Sequence, residues 1–280
     1  MSMLGALSQM GRKSRLLFPP QVEVGDQRSH QHYTGDRPVH IAATAAVSPK
    51  VAKQKQQQGR CHTYILPDGK VQTYQRNKVK NQVSADTDWI FYIQADEVIH
   101  EKYHNVIRST AEKYCNEPRV DGLLFQYLHF YGTYDYVGDS RKWYKSEVRL
   151  IKNDKTISSY RDAQGFRRGD KKLNVVPVAA EVYHYGWVKS PEQMKRKMDN
   201  TLVFYSDDDT VVNEFKQRNQ VFDFNEFDSI RKFEGEHPFV MKERIASKNW
   251  EVVLDVNKKK LSPRMKLLAF IEKLTGIRPF

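Results

Sequence analysis

Apolar and polar residues change rhythm sharply near residue 86. Beyond it, "DWIFYIQ" (88–94) is apolar without alternation, the pattern of a strand buried on both faces. "HEKYHNVIRSTAEKYC" (100–115) predicts an amphipathic helix with Val106, Ile107, Ala111 and Tyr114 toward a core. "GLLFQYLHFY" (122–131), "KWYKSEVRLIKN" (142–153) and "NVVPVAAEVYHYGW" (174–187) predict three further strands, the last edge-like around Pro177. Ser190-Pro191-Glu192-Gln193 has the N-cap, first-turn proline and amide of a helix start, predicting a helix through Tyr205. More helix is expected over 209–220 and 238–248. "SPRMKLLAFIEKLTGIRPF" (262–280) predicts a capped amphipathic helix.

Residues 1–86 lack any such rhythm. They hold about 13 Lys and Arg against about 5 Asp and Glu, so they carry about +8 of the chain's charge. A segment so polar buries too little apolar surface to offset its ordering entropy. The expectation is a largely disordered basic segment. A hairpin is expected at most around "TYILPDGKVQTY" (63–74), where Pro67-Asp68-Gly69 signals a turn.

The whole chain of 280 residues carries +12, with a mean hydropathy of −0.71. That balance favours an anionic partner such as nucleic acid, a nucleotide phosphate or an acidic membrane. Cys61 and Cys115 make no disulfide framework and no zinc site, and a reducing cytoplasm is expected. At the amino terminus the apolar run precedes the basic cluster, the reverse of a secretory signal, and no run reaches the length of a membrane span.

The chemistry concentrates at strand ends. Asp96 and Glu97 follow the 88–94 strand directly, and ligands of open α/β sheets sit at the carboxyl ends of strands. An acidic pair there suits Mg2+ or Mn2+, hard cations that take oxygen ligands and leave room for phosphate. Capping of the next helix is the plainer use of the pair. His184 could complete a metal shell, or serve as a hydrogen-bonded core histidine between Tyr183 and Tyr185. Asp162, between Arg161 and the pair Arg167 and Arg168, could take a proton from an acceptor hydroxyl or form a surface salt bridge. Tyr127, Phe130, Tyr131, Tyr134, Tyr136, Trp143 and Tyr144 crowd a short span. They suit sugar rings or single-stranded bases, or core packing.

Taken in order, "DWIFYIQADEVI", "GLLFQYLHFYGTYDY", "RKWYKSEVRLIKN", "YRDAQGFR" and "VYHYGWVKSPEQM" resemble the carboxyl-terminal half of the catalytic domain of family 2-type glycosyltransferases with the GT-A fold. The resemblance covers roughly residues 86–250. It implies an α/β fold, a partial GT-A (Rossmann-like) mixed sheet with flanking helices. The organisation expected is a basic segment over 1–86, a GT-A-like catalytic half over 87–255 and an amphipathic helix over 256–280. The family's Asp-Ala-Asp-Glu signature stands here as Gln94-Ala95-Asp96-Glu97. It implies Asp96 as main metal ligand, Glu97 as helper and His184 as the late histidine near Mg2+ or Mn2+. Asp162 matches the catalytic carboxylate. Gln94, Trp143, Arg149, Arg161 and Arg167 are implied for donor and acceptor binding.

The implied reaction moves a sugar from a nucleotide-diphosphate donor to a hydroxyl acceptor, glycan or lipid-linked, in polysaccharide biosynthesis. The implied location is cytoplasmic, peripheral to the inner face of the membrane. The nucleotide-binding half that should open the fold is missing or frame-disrupted in 1–86, so donor binding is expected to be poor or absent. A basic nucleic-acid-binding protein is the alternative. A membrane-docking carboxyl-terminal helix is compatible with either.

Overall fold

The computed structural model describes residues 41–45, 71–160, 165–205 and 221–275. The described chain is mixed α/β, with a mixed sheet and few helices. It divides into two compact units. One holds the described residues up to Gln126 together with Ser146–Val182; the other holds Tyr127–Lys145 and the chain from Tyr183 onward. No helix among the described residues is long and apolar enough to cross a membrane.

The first unit is built around β2 (Trp89–Ile93), the apolar run singled out above. β1 (Ile41–Ala45) pairs with it in parallel, and β6 (Ser146–Lys152) pairs with its other edge antiparallel. With β3 (Glu97–Ile99), β4 (Gly122–Gly132) and β10 (Val175–Val188), the strand order is β1-β2-β6-β4-β10-β3. An interior place explains why β2 carries apolar residues on both faces. β10 is likewise interior, although Pro177 itself is exposed.

Burial follows the register. Ile90 faces Ile151, and Phe91 faces Leu150. Ile90, Tyr92 and Ile151 pack with Ile157 and Phe166 on one side of the sheet. Phe91 stacks on Phe125 at 5.4 Å between ring centres. Helix α2 follows a 3-10 turn (Glu101–Tyr103), spans His104–Lys113 and buries Ile107 and Ala111. The Trp89 indole N–H donates to the Ala111 carbonyl at 3.1 Å, tying helix to strand.

Helix α1 (Val71–Lys80) is a correction. The arm expected to close a hairpin over 63–74 is helical from Val71, and residues 46–70 lie outside the described residues. Tertiary contacts explain the helix. The Arg76 guanidinium lies over the rings of Tyr92, at 4.1 Å, and Phe166, at 5.5 Å. The Asn77 side-chain oxygen accepts the Ser159 N–H at 2.9 Å.

The short strands β7 (Ile157–Ser159), β8 (Phe166–Arg168) and β9 (Lys171–Lys172) form a separate antiparallel sheet. Arg168 ties this sheet down by reaching Asp121 at 2.6 Å and Asp154 at 2.5 Å. Burial opposes ionisation of Asp154, but hydrogen bonds from Arg168 and from the Thr156 N–H and hydroxyl outweigh it and hold the carboxyl down at about 2.

In the second unit, the last residues of β4 pair with β5 (Tyr136–Gly138), which pairs with β11 (Ile230–Lys232). Helix α3 (Pro191–Tyr205) starts where Ser190 places it: the Ser190 hydroxyl accepts the Gln193 N–H, and the Gln193 side chain accepts the Ser190 N–H. Helices α4 (Lys242–Ala246) and α5 (Pro263–Thr275) fall within expected spans. The helix expected over 209–220 lies outside the described residues.

Two outcomes follow from this packing. A Cβ at Gly122 would stand 2.7 Å from the Leu150 carbonyl oxygen and 3.0 Å from Val148 Cγ1. Gly122→Ala should therefore cost about 1–3 kcal/mol in a denaturant titration, because one neighbour is backbone and cannot turn aside. Asp154 titrates near 2 when folded and near ~3.9 when unfolded, so its contribution is full above roughly pH 5 and is lost as pH falls toward 2. Unfolding midpoints measured against pH should fall less steeply on the acid side in Asp154→Asn.

Candidate functional site

The strand-end turn in the first unit is held from within. The Glu97 N–H donates to the Gln94 carbonyl at 3.0 Å, and the Gln94 N–H donates to Glu97 Oε2 at 3.0 Å. Arg149, on β6, closes on the same carboxylate with both arms of its fork. Nε reaches Oε2 at 2.9 Å and Nη2 reaches Oε1 at 2.7 Å. The side chains of Glu97 and Arg149 are 0% and 3% exposed. In the orientation its neighbours require, the Gln94 amide donates to Glu97 Oε1 at 3.0 Å and accepts from Arg76 Nη2 at 3.1 Å.

Arg76, Gln94, Glu97 and Arg149 thus form one buried network of two guanidinium groups and one carboxylate. Asp96, half-buried, stands inside the turn this network fixes. The geometry gives Glu97, Arg149 and Gln94 the work of holding the turn. Contact with a metal or a donor, expected of each, would require this network to open. Glu97 also begins β3 rather than a helix, so the pair is not a helix cap.

The second unit carries a histidine pair. Tyr127, His129 and Tyr131 share one face of β4 by alternation. His129 Nε2 lies 2.8 Å from the Tyr144 carbonyl oxygen, and its Nδ1 lies 3.1 Å from Nδ1 of His184. A carbonyl can only accept, so His129 carries its proton on Nε2. Neutral His129 then has a bare Nδ1, which must receive the Nδ1–H of His184. Neutral His184 consequently keeps its lone pair on Nε2. A hydrogen bond on one ring nitrogen that fixes the other as a base is how histidine ligands are oriented.

The strand continues through Val188, so His184 is inside β10 rather than at its end. Its partner is held by stacking: the His129 ring lies between Tyr127, centres 5.3 Å apart, and Trp143, 5.1 Å apart. Tyr144 meets it edge-on at 4.3 Å. Trp143, expected to bind donor or acceptor, is half-buried and also touches Tyr131 and Trp187. A Cβ at Gly138 would lie 2.2 Å from the Trp143 indole nitrogen, so only glycine leaves room for the indole.

Arg167, in β8, lies over the Tyr160 ring at 4.6 Å. Arg161 and Asp162, the expected base, lie outside the described residues. Among the described residues, no group of three or more His, Cys, Asp or Glu could hold a metal ion by itself.

His129 and Arg76 escaped the sequence reading. A signal for His129 existed: a lone imidazole between two tyrosines on one face of an otherwise apolar strand. Arg76 left no such trace, since its partners are distant in sequence.

The Glu97–Arg149 pair yields a direct outcome. Glu97→Gln and Arg149→Met should each lose about 3–5 kcal/mol in denaturant titrations, because each leaves a buried charge without its main partner. The double variant should lose less than the sum of the two.

Searches against protein-family models and curated proteins found no match for the chain.

Proposed function

We propose that the chain is a glycosyltransferase-like protein of the family 2 type, whose ancestral reaction moves a sugar from a nucleoside diphosphate to a hydroxyl acceptor in glycan assembly and whose donor binding is weak. One observation carries this reading: Asp96 lies at the end of an interior strand, in a turn whose Glu97 is held by a buried arginine fork. Parallel pairing of β1 with β2 supports reading the mixed sheet as part of a Rossmann-like GT-A half.

The roles follow the resemblance residue by residue. Asp96 takes that of carboxylate ligand to Mg2+ or Mn2+. The resemblance gives His184 the part of the family's late histidine; within its own unit, its bond to His129 leaves the lone pair on Nε2. When bound, the cation supplies positive charge to the departing diphosphate. Asp162 accepts the acceptor's hydroxyl proton as that oxygen bonds to the anomeric carbon and the sugar–phosphate bond breaks on the opposite face. The resemblance makes Glu97 a helper ligand and gives Gln94 and Arg149 donor or acceptor contact; their mutual bonds also hold the turn that carries Asp96. Arg167 and Trp143 remain candidates for sugar or phosphate contact.

Thermal unfolding with nucleoside diphosphate and Mn2+ tests the reading. The expected result is stabilisation at millimolar diphosphate that needs the metal. It should disappear in Asp96→Asn. Stabilisation indifferent to metal and to Asp96 would refute the reading. Polynucleotide binding that falls steeply with salt, with no diphosphate effect, would favour the basic nucleic-acid binder instead.

A further inference from the structure

Helix α5 turns its apolar stripe the wrong way for a packing helix. Leu267, Phe270 and Leu274 are 59%, 59% and 69% exposed. Their spacing of three and four places them in one row along the helix. The opposite face carries half-buried Met265, Leu268, Ala269 and Glu272. Glu272 accepts from Arg141 and from Lys145, the latter at 3.0 Å, so the charge that would normally face solvent is turned inward. Ser262 fixes the start of the helix by accepting the Met265 N–H at 3.3 Å, with Pro263 in its first turn.

Charge identifies what the stripe meets. Arg264 and Lys266 are exposed and, at 100° per residue, flank the row on opposite sides. Residues 258–273 hold Lys258, Lys259, Lys260, Arg264, Lys266 and Lys273 against Glu272 alone. An outward apolar row between basic shoulders is the pattern of a helix lying in a membrane interface.

A second copy of the chain fits less well. A helix of 13 residues is about 20 Å long, and a face about 10 Å wide gives ~200 Å2, several-fold below the ~800 Å2 per partner of a stable interface. Two such faces would also bring like charges together.

We propose that α5 docks the protein on an anionic phospholipid surface, with Leu267, Phe270 and Leu274 entering the interface and Arg264 and Lys266 meeting the headgroups. The inference is independent of the sugar-transfer reading.

Flotation of the full chain tests it. Vesicles of phosphatidylcholine alone are compared with vesicles containing one quarter phosphatidylserine. The protein should float with the anionic vesicles and far less with the neutral ones. Leu267→Gln with Phe270→Gln should reduce binding about tenfold, and Arg264→Gln with Lys266→Gln, or high salt, several-fold. Both variants change exposed positions, and circular dichroism should show them folded. Failure of the full chain to float, or equal flotation of the apolar variant, would overturn the proposal. So would a dimer in sedimentation velocity that the apolar variant dissociates while no vesicle binding is seen.

Discussion

A buried ion pair between Glu97 and Arg149 governs the turn on which any chemistry at the strand end depends. The two residues are 52 positions apart, and the sheet brings them together. β2 delivers the turn, and β6, its antiparallel neighbour, delivers the guanidinium. A charge pair of this burial adds little net stability against a well-packed apolar pair, but it demands one geometry and penalises every other. Its value here is positional. Glu97 accepts from the Gln94 N–H and from Arg149 at once, so the two residues between them, Ala95 and Asp96, have a fixed stage. Of the Asp-Glu dipeptide at the strand end, the Glu97 carboxylate holds the turn that contains Asp96.

The histidine pair follows the same logic with a proton in place of a charge. The Tyr144 carbonyl sets the tautomer of His129, and His129 sets that of His184. Stacking of His129 between Tyr127 and Trp143 keeps the imidazole plane from turning, and Gly138 makes room for the indole that does so. Three of the aromatics crowded between Tyr127 and Tyr144, namely Tyr127, Trp143 and Tyr144, thus pack against one ring. Tyr131 is fully buried, and burial raises its phenol above the usual range. It is core, as is Phe130.

Legibility in the sequence tracked locality. Apolar runs and 3.6-residue rhythm marked β2, β4, β6, β10, α2, α3 and α5 because each element's signal lies within its own residues. Helix α1 was hidden because its contacts, Arg76 on Tyr92 and Asn77 on Ser159, come from strands far along the chain, whereas Pro67-Asp68-Gly69 offers a strong local turn signal. β1 was hidden in a polar segment for a related reason: a short strand is defined by the partner it pairs with. At the candidate site, residue types at strand ends were readable, but pairing was not. Nothing in the spacing of Glu97 and Arg149, or of His129 and His184, announces that they meet. Arg149 and Gln94, expected at a ligand, also bond to Glu97 within the fold.

Under the proposed reading, the Gln94–Glu97 turn places Asp96 to meet a divalent cation. Paramagnetic broadening of backbone amide signals by Mn2+, with a nucleoside diphosphate present, tests it most directly. Selective broadening is expected at Gln94, Ala95, Asp96 and Glu97, and it should vanish in Asp96→Asn while the turn's other signals keep their positions. Broadening spread evenly along the chain, or unchanged by loss of the Asp96 carboxylate, would contradict it.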